Sequence, residues 1–92
     1  MKIIKDDYFK QQLAIIVIFI ADDSKTRARN FKNLLYKRLK TLDEFPHKFR
    51  KSKYYNDDNI RDYIFMGYTI PYLVDEKLGV IVVLDIFKWV ER

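Results

Sequence analysis

The spacing of apolar residues changes from a helical to a strand-like period about halfway along the chain. In the first half, Phe9, Leu13, Ile16 and Ile20 recur at intervals of four, three and four, which places them on one face of a helix. After residue 59, β-branched and aromatic residues form three short runs bounded by turn-forming residues. This change of period predicts a fold in which helices pack against a sheet.

A short strand and a first helix are predicted at the N-terminus. Residues 1–5 form the candidate strand, and the acidic pair Asp6 and Asp7 suits the first turn of a helix. The run at residues 15–20 has enough β-branched side chains to be a buried strand instead. The polar residues 10–12 and the longer period favour the helix.

A second helix is predicted from the N-cap residue Ser24 to about Asp43. Four residues mark its apolar face, namely Phe31, Leu35, Leu39 and Leu42. The link between the two helices is short, so they should form an antiparallel hairpin. The hairpin should end at Phe45 and Pro46, because proline disfavours helical geometry in the residue before it.

Three strands are predicted in the second half, at residues 60–65, 68–74 and 80–87. Their links are short, which makes them antiparallel, and Gly79 is available for a positive φ in the second link. The predicted order is strand, helix, helix and a three-stranded meander (β-α-α-β-β-β), an α+β fold in a single domain over residues 1–92. The helix hairpin should cover one face of the sheet and leave the other to a partner or to solvent.

Composition argues against several other classes of protein. Cysteine is absent, which excludes a disulfide scaffold and a thiolate metal site. There is no glycine-rich phosphate loop, no pair of histidines at metal spacing and no Ser-His-acid pattern, so neither a metal nor a nucleotide cofactor is expected. The longest apolar run, residues 13–21, is far shorter than the roughly 20 residues that span a bilayer, and the N-terminus lacks a secretory pattern. A cytoplasmic location without membrane attachment is therefore expected.

Positive charge is concentrated in one segment. The net charge is +5, but residues 25–53 contain 11 of the 18 basic residues and only two acidic ones, and so carry +9. The rest of the chain therefore carries −4. This distribution predicts one positive region that attracts a polyanion or an acidic protein. The alternative is an ordinary helix face with solvated Lys and Arg side chains.

Two groups of residues in this segment are candidates for binding a nucleic acid or another target. The first group forms a stripe on the second helix, at Lys25, Arg29, Lys32 and Lys40, with Tyr36 between them. The second group, Arg50, Lys51 and Lys53, adjoins Tyr54 and Tyr55. Basic residues beside aromatic rings are typical of a surface for single-stranded nucleic acid, although adjacent tyrosines usually place one ring in the core.

The predicted order of elements and several local sequences together resemble the RelE/ParE superfamily of bacterial toxins. The local sequences are Phe45-Pro46, Ile60-Arg61-Asp62 and Gly67-Tyr68-Thr69-Ile70-Pro71-Tyr72, and the resemblance extends from Ile3 to Lys88. It implies the toxin of a type II toxin–antitoxin pair, which is neutralised by a cognate antitoxin wrapped around it in a hetero-oligomer. Members of the superfamily either cleave mRNA on the ribosome or inhibit DNA gyrase.

The residues with which RNA-cleaving members act are largely missing from this sequence. Thr69 stands where these members usually have an Arg that contacts the scissile phosphate, and Ile60 and Asp62 stand near the positions of two catalytic lysines. Neither of the last two can stabilise phosphate charge as Lys does. Lys88 matches a basic residue that follows the last strand, and Trp89 lies near the position of an aromatic acid–base.

Other residues are candidates for the missing catalytic roles. Cleavage of RNA needs a proton acceptor, a proton donor and a cation at the phosphate. His47 is the only histidine, the residue type that most often serves as a general acid or base, and Arg61 and Lys88 are the candidate cations. The alternatives are that His47 is a solvated loop residue, and that Arg61 pairs with an acidic neighbour or positions the antitoxin.

Three functions follow as hypotheses. The missing catalytic residues favour a non-enzymatic inhibitor of gyrase that binds through its helix hairpin and C-terminal tail. The dense positive charge equally suits a ribosome-dependent mRNA endonuclease. The third hypothesis is a degenerate toxin that only binds its antitoxin. In each case, the open sheet face and the apolar strand at residues 80–87 predict that a partner chain covers apolar surface there.

Overall fold

The structure, a computed structural model, describes residues 1–88. Its elements are β1 (Lys2–Lys5), α1 (Asp7–Asp23), α2 (Lys25–Leu39), a 3₁₀ turn (Lys40–Asp43), β2 (Ile60–Phe65), β3 (Tyr68–Asp75), β4 (Val80–Val83) and β5 (Phe87–Lys88). The predicted α+β fold and its β-α-α-β-β-β order are confirmed, with β5 as a short addition. Within the described part of the chain, no helix is long and apolar enough to cross a membrane.

A single residue, Ser24, separates the two helices and caps both of them. Its backbone N–H donates to the carbonyl of Ile20 at 2.9 Å and so closes α1. Its hydroxyl accepts from the backbone N–H of Arg27 at 3.1 Å and so begins α2. Because the hydroxyl satisfies an N–H that has no partner within the helix, the predicted N-cap role of Ser24 is confirmed. The helical interpretation of residues 15–20 is confirmed as well.

The strands form one mixed sheet in the order β1-β4-β3-β2, and β5 also pairs with β3. The β2–β3 and β3–β4 pairs are antiparallel, as the predicted meander requires. β1 runs parallel to β4, with Ile3 opposite Ile81 and Lys5 opposite Val83. Parallel neighbours need a long crossover, which is provided here by the helices and the β2–β3 hairpin. Gly79 adopts the expected positive φ, at 65°.

The last predicted strand is divided in two, which corrects the sequence-based expectation. β4 ends at Val83 opposite Tyr72, and β5 begins at Phe87 opposite Thr69. Between these two pairs, the segment that joins β4 to β5 has one residue more than the facing part of β3, as in a β-bulge. Pro71 lies in the interval, and because proline has no N–H to donate, the regular ladder is interrupted there.

The helix hairpin packs on one face of the sheet and forms the core with it. The core residues contributed by the helices and the turn are Phe9, Leu13, Phe31, Leu35, Leu39 and Leu42, and those contributed by the sheet include Phe65, Ile70, Tyr72, Val74, Ile81 and Val83. The predicted apolar face of α2 is thus fully buried. On α1, Ile16 and Ile20 are partly buried against the same core, which confirms the predicted face.

The other face of the sheet is only partly open, contrary to the expectation. Asp62 and Thr69 alternate with the core residues of their strands and are buried on this face. The segment that precedes β2 lies against it: the backbone N–H of Lys53 donates to Asp62 at 3.2 Å, and the Tyr54 ring meets Phe87 edge-on at 4.8 Å. The chain therefore covers much of this face itself.

α1 exposes several large apolar side chains. Ile15, Ile18 and Phe19 are 61%, 69% and 78% exposed. By contrast, Ile81 and Val83 of β4 are buried in the core. Val80, Val82, Leu84 and Phe87 are half-buried, so apolar surface is accessible on α1 and, to a smaller extent, at residues 80–87.

Candidate functional site

Arg61 and Tyr72 lie opposite each other on β2 and β3 and hold the loop that follows α2. Nη1 of Arg61 donates to the carbonyl oxygens of Phe49 at 3.1 Å and His47 at 3.4 Å. The Tyr72 hydroxyl donates to the carbonyl oxygen of Pro46 at 2.7 Å, and burial raises the pKa of this hydroxyl to about 12. Within the described residues, the Arg61 guanidinium therefore contacts backbone carbonyls. Its acidic neighbour in the sequence, Asp62, is contacted by Lys53 and Arg50 instead.

The imidazole of His47 has a partner outside this loop. Its Nε2 lies 2.9 Å from Oε1 of Glu76, in the turn between β3 and β4, and both side chains are exposed. An exposed pair of this kind contributes roughly 0–1 kcal/mol to stability. His47 therefore has the surroundings of a solvated loop residue, and Arg61 contacts its backbone carbonyl.

Lys88 lies on β5, away from the other two candidate catalytic residues. It is exposed and pairs with Tyr68, whereas Arg61 pairs with Tyr72 on the opposite side of β3. Tyr68 and Tyr72 are four positions apart on β3, which places their Cα atoms roughly 13 Å apart before the spacing between strands is added. The structure therefore does not bring His47, Arg61 and Lys88 together in one site. Trp89 lies outside the described residues.

The positions at which the superfamily resemblance would place phosphate-binding cations lie inside the protein. Ile60, Asp62 and Thr69 are 7%, 1% and 0% exposed. A substrate phosphate cannot reach side chains at this depth without local opening of the sheet. Burial therefore separates these three positions from any substrate, in addition to the change of residue type.

Asp62 is a buried carboxylate around which the basic loop is arranged. Its Oδ2 accepts from the backbone N–H of Lys53 at 3.2 Å and lies 3.9 Å from Nε of Arg50. Between these two, Lys51 forms a backbone bridge with Arg61 on β2. Because an isolated buried carboxylate is unfavourable, the hydrogen bond from Lys53 and the charge of Arg50 stabilise both Asp62 and the conformation of the loop. The sequence-based interpretation did not include this role of Asp62.

The loop presents a small basic surface, which we call the loop patch and which consists of Arg50, Lys51 and Lys53. All three side chains are exposed. Tyr54 and Tyr55 beside them are 48% and 38% exposed, so neither ring is in the core. Burial raises the pKa of the Tyr55 hydroxyl, and the nearby charge of Asp85 raises it further.

A second basic surface, the helix stripe, consists of Lys25, Arg29, Lys32 and Lys40. All four residues are exposed; Lys25, Arg29 and Lys32 lie on α2, and Lys40 begins the 3₁₀ turn that follows it. Tyr36 lies within the stripe, with Nζ of Lys5 at 4.6 Å and Nζ of Lys32 at 5.6 Å from its ring centroid. Both distances allow cation–π attraction. Because Lys5 belongs to β1, the helix stripe borders the β1 edge of the sheet.

The two basic surfaces approach different strands of the sheet. The loop patch adjoins β2 through Lys51, and the Tyr36 end of the helix stripe adjoins β1 through Lys5. The N-terminal half of α2 lies beside the β2–β3 turn instead, because Arg27, Asn30 and Phe31 line a groove together with Met66. The basic residues of the segment 25–53 are therefore distributed over a helix, the turn that follows it and a loop.

The sequence matches a known protein family over nearly its whole length. The family is described as ParE toxin of type II toxin-antitoxin system, parDE, and its model matches residues 3–88. A search of curated proteins finds no match. Among residues 1–88, no group of three or more His, Cys, Asp or Glu side chains is placed to hold a metal ion.

Proposed function

The chain belongs to the ParE toxin family of type II toxin–antitoxin systems, and from this premise we propose that it inhibits growth by binding DNA gyrase, without cleaving RNA. The family implies an antitoxin as its partner. The positions at which RNA-cleaving members carry cations support the proposal, because Ile60, Asp62 and Thr69 are buried here and cannot stabilise phosphate charge as Lys and Arg do. We propose the cytoplasm as the place of action, because gyrase and its DNA are found there.

The helix stripe is the proposed contact with gyrase. Lys25, Arg29 and Lys32 are exposed on α2 and Lys40 on the turn that follows it, and α2 is held in place by the buried residues Phe31, Leu35 and Leu39. A basic surface on a rigid element suits rapid association with an acidic protein surface. We also propose that the residues after Lys88, which lie outside the described part of the chain, contribute to gyrase binding.

Induction of the protein in cells that lack the antitoxin tests this proposal. Plasmid supercoiling and the 5′ ends of mRNA are measured in the same culture, before and after induction. We expect negative supercoiling to decline while mRNA ends stay unchanged. A variant with Lys25→Glu and Arg29→Glu serves as the control that lacks two charges of the helix stripe. New mRNA ends at the ribosomal A site, with normal supercoiling, would contradict the proposal.

The alternative function, a ribosome-dependent mRNA endonuclease, is supported by a different surface. The loop patch combines three exposed cations with the exposed ring of Tyr54, an arrangement suited to single-stranded RNA. Its catalytic set would consist of His47, Arg61 and Lys88, which the ribosome would have to bring closer together.

Substitution of Lys88 separates the two functions better than substitution of Arg61, because Arg61 also holds the loop. In an endonuclease, Lys88→Ala should lower the cleavage rate and leave ribosome binding largely unchanged. In a gyrase inhibitor, it should change affinity only slightly. Lys77→Ala, at another exposed lysine in the turn between β3 and β4, is the matched control.

A further inference from the structure

A stripe of exposed residues runs along the outer side of α1. We call it the ridge, and it consists of Tyr8, Gln11, Ile15, Ile18, Phe19 and Asp22. Without Phe19, these positions follow one another at intervals of three, four, three and four. This is the spacing of the seam along which two helices pack side by side. The core face of α1 lies on the other side of the helix, so the fold of one chain leaves the ridge uncovered.

The middle of the ridge is apolar. Ile15 and Ile18 lie there, Phe19 is one turn after Ile15, and the ring of Tyr8 is 53% exposed at the N-terminal end. Of these four residues, only Ile18 also borders the groove between α1 and α2. The ridge is therefore a separate surface of the helix hairpin.

The two ends of the ridge carry different polar groups. Tyr8 has a hydroxyl that can donate, and Asp22 has a carboxylate that can accept. Within residues 1–88, no ion pair includes Asp22. Tyr8 and Asp22 are each seven positions from Ile15. The ridge therefore has a donor and an acceptor at equal distances from its centre.

This arrangement makes the ridge complementary to a reversed copy of itself. When two copies of α1 run antiparallel with Ile15 opposite Ile15, the Tyr8 hydroxyl of each copy lies opposite the Asp22 carboxylate of the other. The apolar residues between these two pairs then cover one another. A parallel copy would instead place the two Asp22 carboxylates side by side, and like charges at close range repel each other.

The size of the ridge suits a weak interface. An aromatic side chain removes about 150–250 Å² from water when it is fully covered. Covering Tyr8, Ile15, Ile18 and Phe19 in both copies removes roughly 1,000 Å², which is near the lower limit for a specific interface. We therefore expect a dissociation constant on the order of 10–100 µM rather than a permanent dimer.

A lipid surface suits the ridge less well. Helices that lie on anionic membranes usually carry Lys and Arg beside their apolar face. The charged residues of α1 are Asp7, Lys10, Asp22 and Asp23, three acidic against one basic, so the helix carries −2. This charge opposes binding to anionic lipid. In the antiparallel dimer, by contrast, the acidic C-terminal ends of the two helices lie at opposite ends of the interface.

We propose that two copies of this toxin associate through the ridge as an antiparallel dimer with Ile15 on the twofold axis. A twofold interface uses the same surface of both copies and closes on itself, so association stops at the dimer. The inference goes beyond the proposed function and does not depend on the target of the toxin.

Sedimentation equilibrium of the purified protein, from about 5 µM to about 1 mM, tests the inference. The wild-type protein should pass from monomer to dimer over this range. Ile15→Asp places two like charges on the axis and should weaken association by at least about tenfold. Leu78 is another exposed aliphatic residue, in the turn between β3 and β4, so Leu78→Asp is the matched control and should change association by less than about twofold. Circular dichroism establishes that each variant is folded.

Disulfide formation tests the antiparallel direction, because the chain has no cysteine of its own. Under mild oxidation, Ile15→Cys should form a linked dimer and Leu78→Cys should form far less. An equimolar mixture of Tyr8→Cys and Asp22→Cys should form the mixed disulfide faster than either variant links to itself, because the two positions face each other only across an antiparallel pair.

Three results would overturn the inference. The first is a wild-type protein that stays monomeric up to about 1 mM, or equal dissociation constants for Ile15→Asp and Leu78→Asp. The second is faster linkage of Asp22→Cys to itself than to Tyr8→Cys, which would indicate a parallel pair. The third is binding to vesicles of phosphatidylcholine and phosphatidylglycerol that Ile15→Asp abolishes, because lipid would then be the occupant of the ridge.

Discussion

α1 and α2 are neighbouring helices of similar length, yet they use their apolar residues differently. α2 buries its apolar face at Ala28, Phe31, Leu35 and Leu39. α1 is apolar around most of its circumference, but only Phe9 and Leu13 are buried, and three of its largest side chains are exposed. Folding therefore explains the apolar pattern of α2 and only part of that of α1. The contrast teaches that apolar residues beyond the core face of a helix indicate a second partner.

The largest effect expected from this contrast is on α2. Leu35 is fully buried, so Leu35→Ala should leave a cavity and lower the free energy of unfolding by about 2–5 kcal/mol. Leu34 is 38% exposed, and Leu34→Ala should lower it by less than about 1 kcal/mol. Urea denaturation of the two variants measures both values. Equal losses of stability in the two variants would contradict the comparison of the helices, because the packing of α2 would then not depend on its buried face.

Features that depend on neighbouring residues were predictable from the sequence. The cap at Ser24 follows from its hydroxyl and its position before an amphipathic segment, and the core face of each helix follows from the 3.6-residue period. The order of the elements follows from the change of period. In each of these cases, the determining residues lie within a few positions of one another.

Features that depend on distant segments were not predictable in this way. Alternation places Asp62 on the same face as Ile60, which is a signal of burial, but it does not identify Lys53 as the donor. Likewise, Arg61 is held by carbonyl groups 12 and 14 positions away. Basic residues that cluster in the sequence were expected to form one positive region, and the fold distributes them over α2, the turn that follows it and the loop before β2. Such contacts depend on the path of the chain through the fold, which neighbouring residues in the sequence do not specify.

The next effect concerns the hydrogen bond by which Tyr72 of β3 holds the loop that follows α2. Tyr72→Phe removes the donor to the Pro46 carbonyl and should lower the free energy of unfolding by about 1–2 kcal/mol at pH 7. Burial raises the pKa of the Tyr72 hydroxyl from 10.0 to about 12. Between these two values, the unfolded chain has released this proton and the folded chain has kept it, so stability falls as pH rises.

The wild-type protein should therefore lose more stability than Tyr72→Phe between pH 10 and pH 12. Denaturation of both proteins at a series of pH values measures the difference, and comparison with the variant removes the contribution of the other titrating groups. If the two curves stay parallel across this range, the hydroxyl does not anchor the loop as the structure indicates. The difference between α1 and α2 would then depend only on the residues that each helix buries in the core.

A smaller effect is expected at the residue that the two helices share. Ser24→Ala removes the hydroxyl acceptor at the start of α2 and should lower the free energy of unfolding by about 1 kcal/mol. The backbone N–H that closes α1 is retained. Amide hydrogen exchange should therefore accelerate in the first turn of α2 and stay unchanged in the last turn of α1.

The variant Ser24→Asp keeps a side-chain oxygen at this position and should restore slow exchange in α2. Equal acceleration of exchange in both helices after Ser24→Ala would show that they open as one unit. In that case, the different use of apolar residues in α1 and α2 would have no counterpart in their local stability.

The smallest effect on stability is expected on the exposed ridge of α1. Phe19 is 78% exposed, so folding removes little of its side chain from water, and Phe19→Ala should change the free energy of unfolding by less than about 0.5 kcal/mol. Phe31, on α2, is 7% exposed, and Phe31→Ala should lower it by about 3–5 kcal/mol. The two substitutions remove the same atoms, so the difference measures burial alone. A loss of several kcal/mol in Phe19→Ala would mean that the ridge is part of the folded core, and α1 would then have no apolar surface to offer to a partner.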